Sequence, residues 1–420
     1  MRLSIATAAA CLLGMLSTAM ASNERKVFAH YMLGLTYGQT ASDWALDIST
    51  AKAAGIDGFA LNAGPNDSFG DQQLDLAYKA AEAAGFKVFV SFDMGCCGAW
   101  DINKVVRWIN AYKGSTAQYK VNNVPFVSTF EGPTWADQWA NVRSQTGGIY
   151  LVPDWSSLGP NGIAGQLGKI DGAFSWEAWA NTPGPKTTDA DRAYRSTLGS
   201  KSYMMGVAPF FYTNIADYNK NWYWGPETLW FDRWEQVLQI MPDFVQIISW
   251  NDYGESHYIG NSRESSIIPQ AKRYASGIPH DGLRMVLPYY IASYKAGARV
   301  SIPNEGAVFW YRTSPKNAGN DGGTTYGPSG TTKAIDAIND VVYVMTLSNT
   351  DTSVFVTIGG NGQQFQVKKG VDIVKMPFNS RTGQVRVVMQ NGKNGVGAKD
   401  IVAYPVNGNV NFNPVVGQTN

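Results

Sequence analysis

GFALNAGPNDSFGDQQLDLAYKAAEAAGFKVFVSFDM, residues 58–94, contains a complete strand–helix–strand unit. An apolar run (58–64) reads as a buried strand, an amphipathic stretch (71–85) as a helix that Gly85 stops, and a second apolar run (87–94) as the next strand. The pattern repeats outward from this unit in both directions. Further apolar runs lie at 27–34, 125–132, 148–155, 172–179, 202–211 and 244–251. Helical patterns lie between them at 41–55, 101–113 and 228–240, with a last one near 284–297. Ser42 and Asp43 are expected to cap the first helix and Gly55 to end it. Eight strand–helix units in about 270 residues have the count and size of a (β/α)8 TIM barrel, an α/β fold. Continuous apolar strands alternating with helices also require a parallel sheet covered on both faces. A doubly wound open sheet is the alternative. Its Gly-rich phosphate-binding turn is missing, because the chain leaves the first strand through LGLTYGQT, residues 33–40.

From about residue 300 helical periodicity stops. Short alternating strands such as AVFWYR, VVYVMTLSN, SVFVTIG and QVRVVMQ follow, separated by Gly, Asn and Asp turns. They read as a small C-terminal β-sandwich, giving a catalytic barrel at 22–298 and an accessory domain at 299–420. No Ser/Thr-rich linker separates the two, so a fixed interface is expected. Residues 1–21 read as a secretory signal: Arg2, an apolar stretch, then Ala19-Met20-Ala21. A secreted, extracellular protein follows. In that oxidising setting the neighbouring Cys96 and Cys97 are expected to join as a vicinal disulfide. Asn66-Asp67-Ser68 is the expected glycan acceptor.

With 34 basic and 33 acidic residues and no run of like charge, the chain lacks the patch that nucleic acid or an anionic membrane would need. A monomer without cofactor or metal is expected. Its 14 Trp and 21 Tyr, many beside Gly, Pro, Asn and Asp, suit a partner with sugar rings.

In a barrel the chemistry sits where the strands end. Polar and aromatic groups fall there in turn: His30, Asn62, Asp93, Glu131, then Asp154 with Trp155, then Trp176 with Glu177, then Tyr212. The last run continues into Trp250-Asn251-Asp252-Tyr253-Gly254-Glu255-Ser256-His257-Tyr258. Converging carboxylates and aromatics suit cleavage of a glycosidic bond by one carboxylic acid and one carboxylate. His30, His257 and Asp252 are the alternative as a metal set, but hydrogen-bonding roles beside a sugar fit them better.

KVFAHYMLGLTYGQTASDW, AKAAGIDGFALNAGP, VSFDMG, FSWEAW and above all ISWNDYGESHYIG resemble the fungal α-1,3-glucanases, the mutanases of glycoside hydrolase family 71. The resemblance covers the chain beyond its leader. It implies a TIM-barrel enzyme that hydrolyses α-1,3-glucan with inversion, using the Asp-x-x-Glu of this motif, here Asp252 and Glu255. Glu255 is assigned as acid and Asp252 as base, with the two held about 6.5–9.5 Å apart to admit a water. The other strand-end residues named above, apart from Tyr253, Gly254 and Ser256, are assigned to substrate binding. A hydrolase of another α-glucan linkage and a non-catalytic glucan-binding wall protein are the rival readings.

Overall fold

Strands filled on both faces by Val, Phe, Ala and Leu can be satisfied only inside a covered parallel sheet. The computed structural model describes residues 25–420, so the expected leader lies outside the described residues. Strand β1 (Lys26–Met32), β2 (Gly58–Ala63), β3 (Lys87–Asp93) and β5 (Val124–Phe130) are joined in order, β5 also carrying the short antiparallel β4 (Lys120–Val121). On the far side of β1 come β11 (Phe244–Ile247), β8 (Ser202–Val207) and β7 (Gly172–Ser175), while β6 (Tyr150–Leu151) pairs with β5. The sheet curls. No ladder runs between β6 and β7; instead Asp154 makes single bridges to Phe130 and to Phe174.

Several strands are shorter than expected, for local reasons. In the run at 148–155 the ladder covers only Tyr150–Leu151, and Pro153, whose carbonyl accepts the Phe174 N–H, has no N–H to return to β7. Pro209 likewise ends β8. The chain then turns back as a hairpin of β9 (Phe211–Ile215) and β10 (Lys220–Trp224), a feature the sequence reading did not anticipate. Phe28, Phe89, Phe126, Phe174, Met204 and Phe244 fill the inside of the curl. Helices α1 (Ala41–Ala53), α2 (Gly70–Ala84) and α3 (Ile102–Tyr112) cover the outside near the first strands. The cap of α1 is Thr40, not Ser42 or Asp43: its side chain accepts the Asp43 N–H while the Asp43 carboxylate accepts the Thr40 N–H, a capping box. Gly85, with φ 61°, ends α2 as expected.

Beyond residue 300 lie two four-stranded antiparallel sheets. One orders β17 (Gly370–Pro377), β14 (Val341–Ser348), β12 (Gly306–Tyr311) and β20 (Val415–Gln418); the other orders β16 (Asn361–Val367), β15 (Thr352–Ile358), β18 (Val385–Met389) and β19 (Asn394–Val396). The period of two sorts β12 between two cores. Ala307, Phe309 and Tyr311 join a cluster shared by both sheets, whereas Val308 and Trp310 join the cluster that includes the α/β helices. The remaining strand, β13 (Thr325–Tyr326), leaves these sheets to pair with β10. No described helix is long and apolar enough to cross a membrane. Cys96 and Cys97 form the vicinal disulfide, and the nearby Asn66 is exposed.

Candidate active site

The loop after β11 is built as a closed hairpin. The Ser249 N–H donates to the His257 carbonyl (2.9 Å), Ile259 to Ser249 (2.9 Å) and Gly260 to Trp250 (2.7 Å). Only glycine fits at Gly260, because a Cβ there would lie 2.6 Å from the Trp250 carbonyl oxygen. Trp250 also donates its N–H to the His30 carbonyl (2.7 Å), and the Asn251 amide ties both polar groups of the Met32 backbone (2.7 and 3.1 Å). The loop is thereby fixed to the end of β1.

This frame gathers Asp252, Glu255 and His257. One oxygen of each carboxylate and a ring nitrogen of His257 lie within 4.8 Å of one another. Glu255 places Oε2 3.0 Å from His257 Nε2, and His257 Nδ1 faces Ser249 Oγ at 3.0 Å. The Asp252 N–H donates to the same Ser249 hydroxyl (2.9 Å), while Asp252 Oδ1 accepts the Glu255 N–H (3.0 Å). His257 is fully enclosed, with Trp179 and Phe211 rings 5.6 and 5.7 Å from its own.

Lys220, on the unanticipated hairpin, completes the cluster: its Nζ donates to Glu255 Oε1 at 2.6 Å. Burial alone would raise the Glu255 carboxyl. The Lys220 charge and the His257 hydrogen bond outweigh it and hold the group ionised, down to about 2. Asp252 moves the other way, raised by burial and then by the neighbouring Glu255 charge. Lys220 is held above its ordinary value chiefly by Glu255. Burial pushes His30 down to about 3, with His257 adding to the effect, so its ring is neutral. The two carboxyls are thus driven apart, Asp252 towards its protonated form and Glu255 towards its ionised form, with their nearest oxygens within 4.8 Å.

The other strand-end residues divide by burial. Asp93 is buried: Gly95 and Cys96 donate their N–H groups to it (3.0 and 3.2 Å), burial raises its carboxyl, and the Lys220 charge acts on it as well. Asn62 is buried and its Nδ2 has no partner. The His30 ring packs edge-on against half-buried Trp176, at 4.9 Å. Glu177 is partly exposed, 4.0 Å from Lys186 Nζ. Glu131 accepts the Ser157 N–H (2.9 Å), which holds the neighbouring loop.

Six residues assigned to substrate contact are enclosed or engaged elsewhere. Trp155 and Trp250 are sealed in the outer core. Tyr258 is fully buried, its ring stacked on His280 at 4.1 Å and its hydroxyl on the Ile278 carbonyl. Tyr212 packs on Tyr274 and Phe412. Asn251 is spent on the Met32 backbone. Asp154 is fully buried and its Oδ1 accepts from Ser156, so it acts through the sheet and the following loop.

Asp252, Glu255 and His257 have ligand atoms close enough to hold a cation. They fit one poorly. Both Glu255 oxygens and His257 Nε2 are already engaged, and the Lys220 ammonium supplies the positive charge. His30 faces Gln246 through Nδ1 (3.2 Å) and is not among the three.

The sequence profile of glycosyl hydrolase family 71 matches residues 23–420. A mutanase of Penicillium rubens is 36% identical over 95% of this chain and 89% of its own length. A glucan endo-1,3-α-glucosidase of Schizosaccharomyces pombe is 32% identical over 94% of each chain. Among solved structures, the GH99 endo-α-mannosidase of Bacteroides thetaiotaomicron aligns with a TM-score of 0.49 at 12% identity, covering 66% of this chain and 98% of that one.

Proposed function

This chain belongs to glycosyl hydrolase family 71, and from that premise we propose that it hydrolyses α-1,3-glucosidic bonds of an α-1,3-glucan as a secreted enzyme. We read the curled sheet as a (β/α)8 barrel at 22–298 whose mouth is the active site, and the two antiparallel sheets at 299–420 as a sandwich docked on it. The observation that carries the proposal is an ion-paired carboxylate, Glu255, beside a buried carboxyl, Asp252, whose burial and charged neighbour favour its protonated form. Glycoside hydrolysis needs that division. Asp252 gives its proton to the departing sugar oxygen as the C1–O bond breaks. Glu255 takes a proton from the water whose oxygen bonds to C1, leaving one hydroxyl on each product.

Glu255 has a cation on one oxygen and an imidazole on the other, which weakens it as a nucleophile but leaves it able to draw a proton from water. Inversion is the expected outcome. The purified protein should release reducing ends from insoluble α-1,3-glucan and not from starch. Proton NMR should show the first new ends in the β configuration; α-anomer first would mean a glycosyl-enzyme intermediate.

The pH dependence follows from the same charges. Asp252 must be protonated, so kcat/KM falls as pH rises through its elevated value. Glu255 must be ionised, so the acid limb lies near about 2. In Lys220→Met both carboxyls lose a stabilising cation and both limbs move to higher pH, the acid limb by at least about one unit. A profile unchanged in position would show that Lys220 does not set the ionisation of the pair.

A further inference from the structure

Strand β11 carries the Asp252–Glu255 loop, and its two ladder neighbours are β1 and β8. The segment after β1 carries Tyr37, 81% exposed, and the hairpin after β8 carries Tyr218 near its tip, 68% exposed. In the α/β part these are the two aromatic side chains left open to that degree among the described residues. Single exposed rings are ordinary on protein surfaces. What sets this pair apart is its placement, one ring on each side of the loop that holds the carboxylates.

The Tyr37 ring is packed against a neighbour, and the hairpin tip that carries Tyr218 is fastened. Tyr37 meets Phe69 edge-on at 5.5 Å, and Phe69 lies just before α2 at the same rim. Tyr218 precedes Lys220 by two residues and contributes to the electrostatic surroundings of that ammonium, so the hairpin that delivers Lys220 to Glu255 also presents the ring. Asp217 beside it accepts from Gln270 Nε2 at 2.5 Å, fastening the tip to the segment that follows the catalytic loop. A tyrosine ring offers a flat apolar face with few rotors to freeze, which suits the C–H face of a pyranose.

We propose that Tyr37 and Tyr218 are outer sugar-binding platforms on opposite sides of the cleavage point, which engage a glucan chain as it passes over the loop and so direct attack to internal bonds. The proposal rests on the glucan-hydrolase reading above. Its ligand is a run of α-linked glucosyl units longer than the bond being cut requires. Neither ring touches the carboxylates, so both act on binding rather than on the proton transfers.

The test compares the intact chain with Tyr37→Ala, Tyr218→Ala and the double variant on α-1,3-linked oligoglucosides of increasing length. Each single variant should lose about tenfold or more in kcat/KM on the longest oligomers, through KM. The shortest oligomer cleaved should change by less than twofold, and Tyr→Phe at either position should restore the loss. Product analysis should show the double variant shifting from internal cuts towards cuts near chain ends. Equal losses at every length would mean a structural role, and no loss on long chains would remove the platforms; either overturns the proposal. A wild-type protein inactive on every glucan would instead overturn the reading on which it rests.

Discussion

Asp252→Asn and Glu255→Gln should each lower turnover of α-1,3-glucan by about 10²–10⁴-fold, the range a positioned general acid or base supplies. Both substitutions nearly conserve volume, so folding and glucan binding should stay close to wild type. The leaving group separates the two roles. An α-1,3-oligoglucosyl fluoride departs without needing a proton, so Asp252→Asn should recover most of the wild-type rate on it. Glu255→Gln should not recover, because the attacking water still lacks its base. Azide, a nucleophile that needs no deprotonation, should rescue Glu255→Ala and leave Asp252→Asn unaffected. The opposite pattern would return the acid role to Glu255. Activity within tenfold of wild type on the polymer for either variant would remove that residue from the reaction.

The parallel strands of the curled sheet were legible because buried parallel strands read as apolar runs whatever their partners are. The pairing of Asp252 with Glu255 was legible for a similar reason: both lie on one short loop. The charge that holds Glu255 ionised was not. It belongs to Lys220, which reaches Glu255 from a hairpin inserted between β8 and the helix at Leu229–Ile240. That hairpin is held by Thr325 and Tyr326, far along the chain, so no local pattern announces it.

Aromatic residues at strand ends misled for a different reason. Trp155 and Trp250 each adjoin an acidic or amide residue at a strand end, as a sugar-stacking ring would. One backbone step decides whether such a ring faces the mouth or the helices, and both face the helices. Tyr37 and Tyr218 gave no signal in the sequence because their meaning comes from flanking β11, a neighbour relation that exists only in the folded sheet.

Cutting the chain near residue 298 should cost both the fold and the chemistry. Val308, Trp310, Tyr343, Met345, Leu347 and Val416 share one core with the helices of the α/β part. Burying side chains of this size contributes about 1.5–3 kcal/mol each, so together they weigh on the order of the net stability of a whole domain. The junction is polar as well as apolar. Glu227, in the segment before the helix at Leu229–Ile240, pairs with Arg312, accepts from the Tyr343 hydroxyl (2.7 Å) and the Asn339 N–H (2.9 Å), and gives its backbone carbonyl to Trp310 Nε1 (2.9 Å). Truncation strips all four from a partly buried carboxylate and its backbone. It also removes β13 from β10, together with the contacts from Thr324 and Gly322 to Asn221, at 2.9 Å each, that sit one residue from Lys220. A chain ending near 298 should therefore aggregate or unfold without a cooperative transition, as read by light scattering and thermal circular dichroism. Any soluble fraction should be inactive, with its Lys220 hairpin unfastened. The isolated segment 299–420 should not sediment with α-1,3-glucan. A soluble, fully active truncated protein, together with a C-terminal segment that binds the polymer, would make that segment an independent module and leave the buried junction without consequence for catalysis.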